Sequence, residues 1–232
     1  MMTPRPVTSL AVLARAPEKG RVKTRLQAEY SQEQCLAIYT AMLRDVLENS
    51  SSLRGAFHRL SVYWASDAAL CPPPDLAREF QLFVHFTQRG DDLGSRMFHC
   101  MAEEFGCGSD RVVLTGCDSP HLPQRRLLSA AGMLESADVV LGPSEDGGYY
   151  LIGATRLIRE LFVGIQWSTP DVLRRTLEVL EALKLRVAML PHWYDLDRPE
   201  DLQRLWDTGR SLPATNLLRV LGEIFQKKYE KW

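Results

Sequence analysis

The sequence predicts an α/β protein on a mostly parallel central sheet with helices on both faces. Apolar runs of strand length alternate with segments of helical period along most of the chain. The first run, Thr8 to Ala14, is apolar at nearly every position, as a strand covered on both faces should be. Charged and glycine-bearing segments follow such runs, at the strand ends where these sheets bind ligands.

In order, the strand at Thr8 to Ala14 is followed by a basic loop. Ser31 to Ser50 predicts a helix, because Cys35, Ile38, Tyr39, Met42, Leu43, Val46 and Leu47 recur at helical spacing and Ser31 suits an N-cap. Leu60 to Ala65 and Leu82 to Thr87 predict strands, separated by a Pro72-Pro73-Pro74 break. Asp92 to Phe105 reads as a helix, Arg111 to Thr115 as a strand, Pro123 to Leu134 as a helix and Asp138 to Leu141 as a strand. A turn at Glu145 to Gly148 leads into a strand at Tyr149 to Ile152. Thr169 as cap, Pro170 at the first helical position and Asp171 beside the dipole predict a helix from Thr169 to Leu183. A strand at Arg186 to Leu190, a helix from Pro199 to about Trp206 and an amphipathic helix near Asn216 to Tyr229 complete the chain. There is no repeat, low-complexity tract or linker, so residues 1–232 are expected to form a single domain.

Charge is balanced, with 28 Lys and Arg against 29 Asp and Glu, which predicts no nucleic-acid partner. No apolar run is long enough to span a bilayer, and the N-terminal run does not fit a signal peptide. The 5 cysteines include no Cys-x-x-Cys pair, which predicts a reducing, cytoplasmic setting and argues against redox or metal-storage roles.

Against that balance, Arg15, Lys19, Arg21, Lys23 and Arg25 crowd the segment after the first strand, opposed only by Glu18. Gly20 allows that loop to turn tightly, and Lys23 and Arg25 are placed to converge on phosphate oxygens. The spacing is not that of a Walker sequence. At the end of the Arg111 strand, Gly116-Cys117-Asp118-Ser119-Pro120 offers one carboxylate, suited either to an Asx-turn or to Mg²⁺ or Mn²⁺ completed by phosphates and water. Glu145, Asp146, Gly147 and Gly148 form either an ordinary turn or a site where a sugar or acceptor approaches backbone and a carboxylate accepts a proton. Asp197, before the Pro199 helix, either favours that helix end or supplies a second metal carboxylate. His121 reads as a loop residue, and Trp167, Trp193 and Tyr194 as core or rim aromatics or stacking platforms.

These segments occur in the order GRVKTRL, GDDLGSRM, GCDSP, GPSEDGGYYLIG and DLDRPEDL, from about Leu10 to Leu205. The set resembles a bacterial glycosyltransferase-like family of unknown function, described as nucleotide-diphospho-sugar transferase-like, with the GT-A fold. More distantly it is similar to molybdenum-cofactor guanylyltransferase, phospholactate guanylyltransferase and CMP-sugar synthetases. The resemblance implies that Lys23 and Arg25, with Arg15 and Gly20, hold nucleotide phosphates. It makes Asp118 the first metal ligand and Asp197 the second, with Mg²⁺ or Mn²⁺ as cofactor. Asp92, Gly94 and Arg96 would lie near the nucleotide or sugar, although Asp92 also reads as a helix cap. The chain departs from the Asp-x-Asp that many GT-A glycosyltransferases carry at the metal position, since its only such pair is Asp195 and Asp197. The expected activity is glycosyl transfer from a nucleotide-diphospho-sugar to a small acceptor. Nucleotidyl transfer with pyrophosphate release is the first alternative, and nucleotide binding without catalysis the second.

Overall fold

The computed structural model describes residues 6–65, 76–209 and 211–229; the Pro72-Pro73-Pro74 break and Cys71 lie outside them. Alternation along β1 (Thr8–Ala14) sends Leu10, Val12 and Ala14 into one core and Ala11 into the other. That strand is the middle of the sheet's parallel half. It pairs in parallel with β2 (Arg59–Trp64) on one side and β4 (Arg111–Gly116) on the other, and β2 pairs in parallel with β3 (Val84–Thr87).

Beyond β4 the direction changes. Between β5 (Val139–Pro143) and β6 (Tyr149–Ala154) only residues 144–148 intervene, far fewer than a parallel crossover requires, so the two form a hairpin. Strand β6 inserts antiparallel between β4 and β5, and β7 (Val187–Met189) closes the edge parallel to β5. The order is β3-β2-β1-β4-β6-β5-β7, the mostly parallel mixed sheet expected from sequence.

Helix α1 (Gln32–Ser51) begins at a capping box. Gln34 N–H donates to Ser31 Oγ (3.2 Å) and Ser31 N–H donates to Gln34 Oε1 (2.8 Å). With α4 (Gln124–Met133) it covers one face of the sheet, and α3 (Leu93–Gly106) and α5 (Val172–Ala182) cover the other. A third layer, α6 (Pro199–Thr208) and α7 (Thr215–Tyr229), packs on the outer side of α1 through Cys35, Ile38 and Met42.

Most expected boundaries move by two residues or fewer, and one moves further. Helix α5 starts at Val172 rather than at Thr169 and Pro170, with Asp171 just before it. The Thr169 hydroxyl donates to the Gln166 carbonyl (2.8 Å) instead of capping, and Leu173 N–H donates to the Gly147 carbonyl (2.9 Å). Residues 167–170 are thereby drawn over the β5–β6 turn. The short α2 (Ala77–Phe80) and a 3-10 turn at Thr24–Ala28 have no signal in the apolar pattern, being too short to show a period.

Candidate functional site

The cleft opens at the carboxyl ends of β1 and β4, between which the strand order reverses direction from the first strand, and it encloses about 710 Å³. Its basic wall is anchored from behind. The Tyr39 hydroxyl, on α1, accepts from Arg15 N–H (2.8 Å) and donates to the Arg15 carbonyl (3.0 Å), while lying 3.3 Å from Cys117 Sγ at the end of β4. Gly20, at φ 78, turns the loop, and buried Val22 and Leu26 hold it against the body of the protein.

Lys23 sits between these anchors in the left-handed region, φ 47 and ψ 46, a conformation that costs a non-glycine residue about 1–2 kcal/mol. Its side chain runs inward and is 4% exposed. The ammonium donates to Asp118 Oδ1 (2.6 Å) and Asp197 Oδ1 (2.8 Å), and Arg25 Nη1 donates to Asp197 Oδ2 (3.0 Å). Burial alone would lower the Lys23 pKa, but the two carboxylates and their hydrogen bonds outweigh it and hold the ammonium above the ordinary lysine range. Burial likewise pulls Asp197 upward, and Lys23, Arg25 and Arg15 together hold it below the ordinary carboxylate range.

A backbone bond brings the two carboxylates together across 79 positions of sequence (197 − 118): Leu196 N–H donates to the Asp118 carbonyl (2.9 Å). Within residues 195–197 Leu196 is buried and both flanking aspartates line the cleft. Asp195 is therefore a site residue that motif reading passed over, although the alternation Asp-Leu-Asp signals it. The Ser119 hydroxyl lies within hydrogen-bond distance of Asp195 Oδ1 and of the Tyr194 carbonyl (3.0 Å). Burial, together with the charges of Asp118, Asp197 and Asp146, pushes Asp195 up to about 7 against the Ser119 bond. Burial and the Asp118 charge push the thiol of Cys117, next to Asp118, up to about 12, which disfavours the thiolate.

Of the residues singled out from sequence, Arg15, Arg21, Lys23, Arg25, Arg96, Asp118, Asp146, Gly148, Trp167 and Asp197 line this one cleft. The others do not line it. The Asp92 carboxylate caps α3 by accepting from Ser95 N–H (2.6 Å), so its helix-cap reading is the one realised. Gly94 lies under Trp167, where a Cβ would come within 2.0 Å of Nε1, and Gly147 lies under Pro170 at φ 89. Glu145 faces away and accepts two bonds from Arg204 (2.7 and 3.0 Å). Asp146 Oδ1 accepts from Ser144 Oγ and from Gly148 N–H (3.0 Å). Trp167, Ser168 and Thr169 line the end of the cleft beside Asp146, while Trp193 and Tyr194 pack around buried His121.

The chemistry available follows from charge and exposure. Asp118 and Asp197 are 48% and 38% exposed, so oxygens of both meet the cleft at one point, an arrangement suited to a hard cation. Among the described residues no group of three or more His, Cys, Asp or Glu is assembled to hold a metal ion. A divalent ion here would need its remaining oxygens from phosphate and water. Among the described residues, Arg15, Arg96 and Arg198 line the cleft with no carboxylate in an ion pair.

The sequence profile of a family described as uncharacterized protein conserved in bacteria (DUF2064) matches residues 50–169. A solved structure from Desulfovibrio desulfuricans G20, described as a "putative nucleotide-diphospho-sugar transferase", is 30% identical, with a TM-score of 0.83 over 96% of this chain and 98% of that one. The inositol-1-phosphate CTP transferase of T. maritima is 14% identical, with a TM-score of 0.54 over 92% and 97% of the two chains. A 4-diphosphocytidyl-2C-methyl-D-erythritol synthase from Anaerococcus prevotii DSM 20548 is 10% identical, with a TM-score of 0.56 over 84% and 92%. These last two share the fold. No curated protein matches the chain by sequence.

Proposed function

The chain belongs to the DUF2064 family of uncharacterized proteins conserved in bacteria, and from that footing we propose that it is a metal-dependent transferase acting on a nucleotide, most simply a nucleotidyltransferase that releases pyrophosphate. One observation carries the reading: Lys23 and Arg25, from the loop after the first strand, converge at 2.6 to 3.0 Å on Asp118 and Asp197 from two other loops. Cations for phosphate and carboxylates for a divalent ion thus occupy one point of the cleft.

Asp118 and Asp197 would hold Mg²⁺ or Mn²⁺, which when bound supplies positive charge against the oxygens of the reacting phosphates. Lys23 and Arg25 take the β- and γ-phosphates, aided by Arg15. An oxygen of the acceptor's phosphate attacks the α-phosphorus, the bond from that phosphorus to the bridging oxygen breaks, and pyrophosphate leaves with the electron pair. Both groups react ionised, so no base is required. Asp146, with Oδ1 already bonded, keeps its second oxygen to orient the acceptor against Gly148. Residues 1–232 act as one domain, and the free thiols of Cys35, Cys100, Cys107 and Cys117 suit a reducing cytoplasm.

The 30% identical Desulfovibrio protein favours a second reading, glycosyl transfer. An acceptor hydroxyl would then attack the anomeric carbon, a nucleoside diphosphate would leave, and Asp146 would take the proton. The two are separated by product. With Mg²⁺ or Mn²⁺ and panels of nucleoside triphosphates, nucleotide sugars and phosphorylated acceptors, pyrophosphate release is expected; nucleoside diphosphate release would select the glycosyl reading. Stabilisation by nucleotide with no product from any panel would leave a binding protein. Asp118→Asn should lower turnover by about 100-fold or more. Nucleotide affinity equal with and without metal, and equal in Asp118→Asn, would remove the metal from the reading.

A further inference from the structure

The Lys23 ammonium occupies the very point at which two carboxylates face each other. It contacts one oxygen of each, at 2.6 and 2.8 Å, and its side chain is almost wholly covered. Asp197 has its other oxygen engaged by Arg25. The site is therefore neutralised from within. A divalent ion takes carboxylate oxygens at about 2.1 Å. An ion held by the same two oxygens would meet the ammonium at close quarters, where two positive centres repel strongly. The ammonium has to leave before the ion can settle.

It cannot leave toward nothing, because an ammonium stripped of its partners inside the fold carries a large desolvation cost. Among the described residues, the basic loop lines the cleft with Arg15, Arg21, Val22, Lys23, Thr24 and Arg25, none of which is an anion. A phosphate brought by a ligand is the missing acceptor.

We propose that Lys23 is the built-in occupant of the cation site, and that a divalent ion enters only together with a polyphosphate that takes over the ammonium. Metal and nucleotide then bind with positive coupling, each raising the other's affinity by the same factor. Without nucleotide the metal site is closed, which guards the two carboxylates against adventitious ions. This rests on the reading of Asp118 and Asp197 as ion ligands and adds to it an order of events.

The test needs no turnover and no nucleotide. Free Mn²⁺ is measured by its electron paramagnetic resonance signal while nucleotide-free wild type, Lys23→Met and Lys23→Gln are titrated, each variant first checked for a cooperative melt. Wild type should bind weakly and both variants about tenfold or more tightly. Adding Asp118→Asn to either variant should erase the gain, which locates the ion. If one variant does not fold, the other carries the experiment. Variants that bind Mn²⁺ no more tightly than wild type overturn the proposal, as does a gain that survives Asp118→Asn. Strong wild-type binding that is lost in Asp118→Asn would overturn the occupancy of Lys23 while leaving the metal reading of the function intact.

Discussion

His121 lies between the rings of Trp193 and Tyr194, at centroid distances of 5.2 and 4.3 Å, and neither of its ring nitrogens has a hydrogen-bond partner among the described residues. Burial, assisted by the Arg204 charge, lowers its pKa to about 3. Its unfolded value is near 6.5, so below that pH the unfolded chain binds a proton the native state refuses. The stability His121 withholds is thus lost as pH falls from about 6.5 toward 3, at up to about 1.4 kcal/mol per pH unit. Urea unfolding at pH 7.5 and 5.5 should show wild type losing on the order of 1 kcal/mol more than His121→Phe. Equal losses would mean the ring is protonated in the fold. From sequence this residue reads as a loop histidine bonded to backbone; Ser-Pro-His gives no sign that residues 193 and 194 will close over it. Lys23 differs, since its place after the first strand already points into the crevice, while its bond to Asp197 depends on a loop 174 residues away.

At the scale of elements, strand positions were readable because each carries its own period and its own breakers. Strand β1 has the bounds its apolar run predicts, and the hairpin follows from a connection too short for a crossover. Helix α5 starts later than its local capping signal for a tertiary reason. Thr-Pro-Asp is good local capping chemistry, yet Pro170 is held against the hairpin turn, where a Cβ on Gly147 would come within 2.2 Å of its carbonyl oxygen. That contact joins two elements no local rule relates. Gly147→Ala meets both a backbone clash and a φ of 89, so it should lower stability by at least about 2 kcal/mol, read as a fall in melting temperature. Gly148→Ala, where the nearest atoms lie at 3.3 Å with no positive φ, should cost visibly less. If the two variants melt alike, the turn does not carry the helix start.

For the whole molecule, the informative pattern in α1 was the breadth of its apolar surface. A helix covering only a sheet needs one stripe, whereas Cys35, Ile38 and Met42 extend apolar burial to a second side. Sequence reading found α6 and α7 but not the layer they build, because amphipathicity reports that a face is buried and not against what. Asp45 fixes that layer. Nearly inaccessible on α1, it accepts from Asn216 N–H (3.0 Å), Asn216 Nδ2 (2.8 Å) and Leu217 N–H (2.9 Å), satisfying donors at the start of α7 from another helix. Burial raises its pKa despite the lowering effect of these bonds, so Asp45→Ala relieves part of a desolvation cost while orphaning buried donors. The net loss should be about 2–3 kcal/mol in urea unfolding at pH 7. Because α1 also carries Tyr39, which holds Arg15 at the cleft, the same variant separates two views of the fold. If the outer layer only adds stability, Mn²⁺ and nucleotide affinity measured well below the melt will match wild type. A weakened affinity at full native population would mean that α7, through α1, sets the position of the basic loop.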